Sequence, residues 1–252
     1  MALAFAAGLA CRHPAAPEAV DPAMASCVPQ NAAMLAGIDL DRLRAAPLYS
    51  KLPIAGLLEA QPLAGASYAL LVWSGQDLLV IARGAFRQAP AGSALLEPGL
   101  AVSGSPDSVR AATTQHRTGR TGAPDLMARA ASIAPGNQIW AVARGGTGLP
   151  LSGNLSNLNR ILRATDWTTL AARVDGGLEL HGAATCATAE GAQQMEESVR
   201  GLISLAAVSL ARQPEIAALL RSAQVSRENT DVRVSLSVPG AQAARLIEVF
   251  SR

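Results

Sequence analysis

The stretch from Thr169 to Cys186 limits what this chain can fold into more than any other. Leu170, Ala172 and Val174 alternate with Thr169, Ala171 and Arg173; Asp175-Gly176-Gly177 intervenes, and Leu178, Leu180, Ala184 and Cys186 resume an apolar set. Alternation with a period of two, broken by a glycine-rich turn, is the pattern of a β-hairpin with one apolar face. A three-residue loop sets Val174 opposite Leu178 and Ala172 opposite Leu180, so the apolar faces coincide, whereas a two-residue loop would mismatch them. The same register sets Arg173 opposite Glu179 on the polar face, an ion pair worth under about 1 kcal/mol. Directly afterwards Ala192, Met195, Val199, Leu202, Ile203, Ala206 and Leu210 recur at helical spacing, which predicts a helix over 189–212 with Gln193, Glu197, Arg200 and Ser204 on its outer side. A one-sided hairpin feeding a long amphipathic helix predicts the α+β class, a mainly antiparallel or mixed sheet covered by that helix.

The rest of the chain fits this frame. Residues 32–40 read as a strand, with Asp41 as cap of a short helix running to Tyr49. Residues 68–73 and 78–82 flank Ser74-Gly75-Gln76-Asp77, a hairpin signal, and their lack of alternation suits central strands covered on both faces. Residues 90–98 read as a loop and 99–103 as a strand. Ser105-Pro106-Asp107 then gives a helix start, with serine at the N-cap and proline at the first helical position. Beyond 117–124 come a short helix, a strand at 138–143, a glycine-rich run at 144–149 and a helix at 154–162. Pro214 restarts a helix, 232–238 alternate as a one-sided strand, and 242–250 close the chain as an amphipathic helix. Strand, helix, hairpin and helix occur twice in this order. The expected organisation is therefore one domain over 27–252, with pseudo-repeats at 27–122 and 123–252.

Composition excludes some functions. The net charge is only +2, aromatic residues make up 3%, and Lys51 is the sole lysine, so neither an electrostatic footprint nor a set of stacking platforms for nucleic acid is present. No apolar run approaches the roughly 20 residues that span a bilayer. Residues 1–10 (MALAFAAGLA) are nevertheless apolar and small, and they end at Cys11. Gly8-Leu9-Ala10-Cys11 reads as a lipoprotein cleavage box, and 1–11 as a truncated signal segment, since no basic residue precedes the apolar run. The proline- and alanine-rich residues 12–26 read as a tether, long enough to hold a domain up to about 45 Å from a membrane at roughly 3 Å per residue. Lipidation at Cys11 would place the protein in the cell envelope. It would also leave Cys27 and Cys186 as an even pair in an oxidising compartment, where a disulfide between them is expected.

Three segments, QNAAMLAGIDLDRLRAAPLY, LAVSGSPDSVRAA and the hairpin before the long helix, together resemble uncharacterised exported bacterial proteins in which a strand-plus-helix unit recurs. The resemblance runs from about Cys27 onward. It implies an α+β fold and an envelope location, and it carries no activity.

No motif for catalysis, cofactor or metal emerges. His13, His116 and His181 are scattered, and Cys11, Cys27 and Cys186 lack ligand spacing. His181 falls on the polar face of its hairpin beside Glu179 and reads as a solvated surface group. Ser105 sits at a strand-to-helix turn, but Val102-Ser103-Gly104-Ser105-Pro106 is not a nucleophile elbow, and capping explains the serine. Arg144-Gly145-Gly146-Thr147-Gly148 lacks the lysine of a phosphate loop. Asp39 and Asp41 are explained by a strand end and a cap. Arg110, His116, Arg117 and Arg120 form a mild basic cluster, which reads as a solvated loop. The expectation is a non-enzymatic envelope protein without cofactor, held to the membrane only through its lipid, that binds a protein partner as an interaction or assembly module. The alternative is a periplasmic carrier whose long helix leaves an apolar pocket for a hydrophobic ligand.

Overall fold

A computed structural model describes residues 20–60, 62–133, 136–148 and 163–250; the signal segment with Cys11, most of the expected tether and the expected helix at 154–162 lie outside the described residues. Ten strands form a single sheet: β1 (Met34–Asp39), β2 (Ala66–Trp73), β3 (Leu78–Gly84), β4 (Ala94–Glu97), β5 (Leu100–Ser103), β6 (Ile139–Arg144), β7 (Trp167–Arg173), β8 (Gly177–Thr185), β9 (Gln224–Glu228) and β10 (Asp231–Pro239). Their order is β4-β5-β3-β2-β1-β6-β7-β8-β10-β9, and every pairing is antiparallel. The order is symmetric about β1 and β6. Outward from that central pair, each half of the chain contributes five adjacent strands in the same serial arrangement.

The β7–β8 hairpin has the register its alternation demands, with Ala172 opposite Leu180 and Arg173 opposite Glu179, and those two charges pair. A long helix, α6 (Ala189–Ser209), follows it as expected, capped by Thr188, whose hydroxyl accepts from the Gly191 amide. The fold is therefore α+β, with an antiparallel sheet and a long helix in the C-terminal half.

Helices cover the two faces unequally. On one face α1 (Pro22–Ala25), α4 (Pro106–His116) and α5 (Pro124–Ser132) pack over the strands of the first half and β6, where Leu35, Leu70, Val72, Ile81, Val102 and Val142 form the largest core. On the other, α2 (Leu40–Ala45) and α3 (Ala55–Leu58) cover Ile38, Ala69 and Ala82. There α7 (Pro214–Arg221) and α8 (Gly240–Phe250) cover Val238, and α6 covers Val225 and Val232. Among the described residues, strands β8, β10 and β9 thus carry helices on one side only, while on the opposite side of β7 the Arg129 guanidinium of α5 stacks over Trp167 at 4.0 Å. Their opposite side bears the polar half of each alternating pattern.

Several expectations need correction. Residues before Cys27 belong to the packed domain: Val20 and Met24 are buried in the main core, and Asp21 caps α1 while also pairing with Arg83. The cap of α2 is Asp39, whose carboxylate accepts from the Arg42 amide; Asp41 sits in the first turn. Residues 90–98 include a strand, β4, at the sheet edge, and β9 forms the other edge. Arg200 does not idle on the outer side of α6, because its guanidinium reaches the Val225 carbonyl of β9 as well as Glu196.

Candidate functional site

Alternation puts the small side chains of Ala141, Ala143 and Ala184, together with Gly182, on the helix-covered face of β6 and β8. Small residues on a sheet hold a covering helix away from the floor or leave a gap beneath it. Here they leave a gap. Met195 and Val199 of α6 descend to Val232 and Val234 on β10, while toward β6 and β1 the floor of Ala141, Ala143 and Met34 is open. The result is a groove of about 320 Å³, within the size range of small-molecule sites, walled by aliphatic groups and the Thr168 side chain, with no charged residue among the described residues of its lining. Leu170 stands in it 46% exposed, although it belongs to an interior strand. An uncharged, elongated apolar group is what such a lining can hold.

The helix above the groove is fixed at one end. Glu196 accepts from Arg200 and from Arg227 of β9, and these two guanidinium groups hold its carboxyl below the usual carboxylate range. The C-terminal half of α6 differs. Residues 201–210 carry no charge, and Leu205 and Val208 point outward at 67% and 65% exposure.

Of the residues singled out in the sequence, Cys27 and His116 are brought together, with Sγ and Nδ1 3.6 Å apart, and most of the others are dispersed. Cys11 and His13 lie outside the described residues. The disulfide expected between Cys27 and Cys186 is not formed: both thiols are free and buried, Cys27 under α1 on one face of the sheet and Cys186 beside α6 on the other. The sheet itself separates them. Burial pushes the Cys27 thiol up to about 12 and raises that of Cys186, so neither is a ready thiolate. Ser105 caps α4, accepting from the Ser108 amide at 3.2 Å and donating to Asp77 at 3.0 Å. Thr147, in the glycine-rich run, turns back to the Arg144 carbonyl. Arg110 of the basic cluster pairs with Asp107. His181 is exposed on the polar face, as its register requires.

One pairing was not legible in the sequence. Ser26 Oγ and His116 Nδ1 are 2.7 Å apart, the reach of a nucleophile and its base. The serine hydroxyl also lies 2.7 Å from the Ala23 carbonyl, to which it can donate while accepting from the imidazole. The pair ties the end of α1 to the end of α4. Among the described residues no group of three or more His, Cys, Asp or Glu is placed to hold a metal ion, and no helix is long and apolar enough to cross a membrane.

The fold and groove together define an α+β protein built on one ten-stranded antiparallel sheet, with an apolar groove beneath its longest helix. No family model matches the chain, and no curated protein matches it. Among solved structures it is similar to TP0453. The form I crystal structure gives a TM-score of 0.51 at 8% identity, covering 92% of this chain and 99% of that one. The form III structure gives 0.50 at 9% identity, covering 91% and 98%. At such identity the likeness is one of fold alone.

Proposed function

We propose that this protein is a non-enzymatic carrier of a hydrophobic ligand in the cell envelope, anchored through Cys11, and that the groove between α6 and the sheet holds the ligand. The observation that carries this reading is the uncharged, aliphatic lining of a cavity of about 320 Å³ in contact with an exposed Leu170. Removing an acyl chain from water contributes about 0.8 kcal/mol per buried methylene, so a few buried carbons already give useful affinity. The envelope location is supported by the apolar residues 1–10 ending at Cys11 and the tether that follows. A second reading, an interaction or assembly module, is supported by Leu205 and Val208 on the outer face of α6, where a partner's apolar surface would bury them.

The two readings separate by experiment. Native mass spectrometry of the protein purified from the cells that make it is expected to show a lipid-sized adduct that organic solvent removes. Val199→Phe, which fills the groove from α6, should lose the adduct, and Leu205→Ser, on the outer face, should keep it. Protein without adduct in the wild type would count against the carrier.

A further inference from the structure

The face of β7, β8, β10 and β9 that no helix covers among the described residues is shaped. Cross-strand neighbours there fall into rows set by the register: Thr169, Ala183, Arg233 and Ser226 in one, Ala171, His181, Ser235 and Gln224 in the next. Ala171 and Ala183 make a low floor between taller neighbours. The end of α5, with Ser132 and Ile133, stands along one side, and the open groove measures about 620 Å³. It lies on the opposite side of the sheet from the apolar groove.

Two properties define what this groove would take. First, its charges balance: Arg173 pairs with Glu179, and Arg233 with Glu228 at 3.0 Å. With neither sign in excess along the groove, it offers no net attraction to an anionic or a cationic ligand. Second, what remains along the rows is hydroxyl, amide and imidazole, groups that donate and accept at once. They stand on a grid of about 4.8 Å between strands and roughly 6.8 Å between same-face residues along a strand. A paired guanidinium and carboxylate adds spare donors beside spare acceptors, which is the complement of two neighbouring hydroxyls. Over β7 and β8 a peptide would find no backbone partner, because these are interior strands paired on both sides; the free edge lies at β9, away from Ala171 and Ala183.

We infer that this groove is a binding site for an uncharged polyhydroxylated ligand, a short neutral oligosaccharide, lying across β7, β8 and β10 with its rings over Ala171 and Ala183 and its hydroxyls bonded to His181, Ser235 and the Arg173–Glu179 pair. The site is independent of the apolar groove. Ala183 and Ala184 point to opposite faces, so the floor of one groove can be altered without filling the other.

The test uses the whole chain, isotopically labelled, titrated with maltohexaose, cellohexaose, laminarihexaose and chitohexaose, with dextran sulfate and a mixed hexapeptide pool as comparators. At least one neutral sugar is expected to shift the amide signals of β7, β8 and β10 selectively. Ala183→Leu, which raises the floor, should weaken that binding about tenfold or more while the remaining spectrum shows the fold intact. His181→Ala, at an exposed position, should weaken it as well and cannot be accounted for by misfolding. The inference is overturned if none of the four sugars shifts this face, if both variants bind as the wild type does, or if dextran sulfate or the peptides shift these signals more strongly than every neutral sugar.

Discussion

Gly37 shows how one residue can fix the packing of the central strands. A methyl group added there would lie 2.2 Å from the Trp140 ring, which rests across Gly37 in the neighbouring strand and donates its indole N–H to the Tyr68 hydroxyl at 2.7 Å. The ring is 5% exposed and has no open side into which to move. Gly37→Ala is expected to destabilise the protein by about 1–3 kcal/mol, the usual cost of overpacking, as read from urea unfolding. In a Trp140→Leu background the same change should cost much less; equal costs in the two backgrounds would mean that the contact is not the cause. None of this was legible in the sequence, where Gly37 is merely a glycine within an apolar run. The exchange of cap from Asp41 to Asp39 has a similar origin. Both acids suit a cap, and only the extended backbone at Asp39, where the strand ends, decides between them.

At the scale of elements, the long alternating and helical patterns could be read and the short polar ones could not. The β7–β8 register followed from matching apolar faces, and α6 from seven apolar positions at helical spacing. Strand β9 has Val225 as its one buried residue, and β4 has only four residues within a proline- and glycine-rich stretch, so neither shows a period. Helix α1 is PAMA, too short for any periodicity, and its place is decided by Met24 entering the core. The link between α5 and β6 can be tested by pH. The Arg144 guanidinium holds the Asp125 carboxyl below the usual carboxylate range and joins the first turn of α5 to the end of β6. A depressed native value means the contribution is fully present above the unfolded value of about 3.9 and is lost as pH falls through the native one. Asp125→Asn should therefore melt lower than wild type at pH 7 by the equivalent of under about 1 kcal/mol, since the pair is partly exposed. The gap should stay constant down to about pH 5 and close below about pH 4. A gap unchanged at low pH would assign the loss to something other than the charge.

For the whole molecule, the arrangement of strands matters more than any single side chain. Building the sheet outward from β1 and β6 places the one-sided strands of the second half together, so that their apolar alternate residues meet α6 while their polar ones face away. The sequence announced small residues at 141, 143, 182 and 184, but an excess of alanine throughout the chain hid their grouping. Only the register brings them onto one face beneath one helix. The apolar groove is therefore a product of topology, and its occupancy is the central claim. The most direct measurement is a titration of delipidated protein with a fluorescent fatty acid, displaced by unlabelled oleate, for the wild type, Val199→Phe and Ala141→Leu. Saturable binding of one probe per chain is predicted for the wild type, with at least about tenfold weaker binding in both groove-filling variants. Binding that is absent from the wild type, or unchanged when the groove is filled from either the helix or the sheet, would contradict the account.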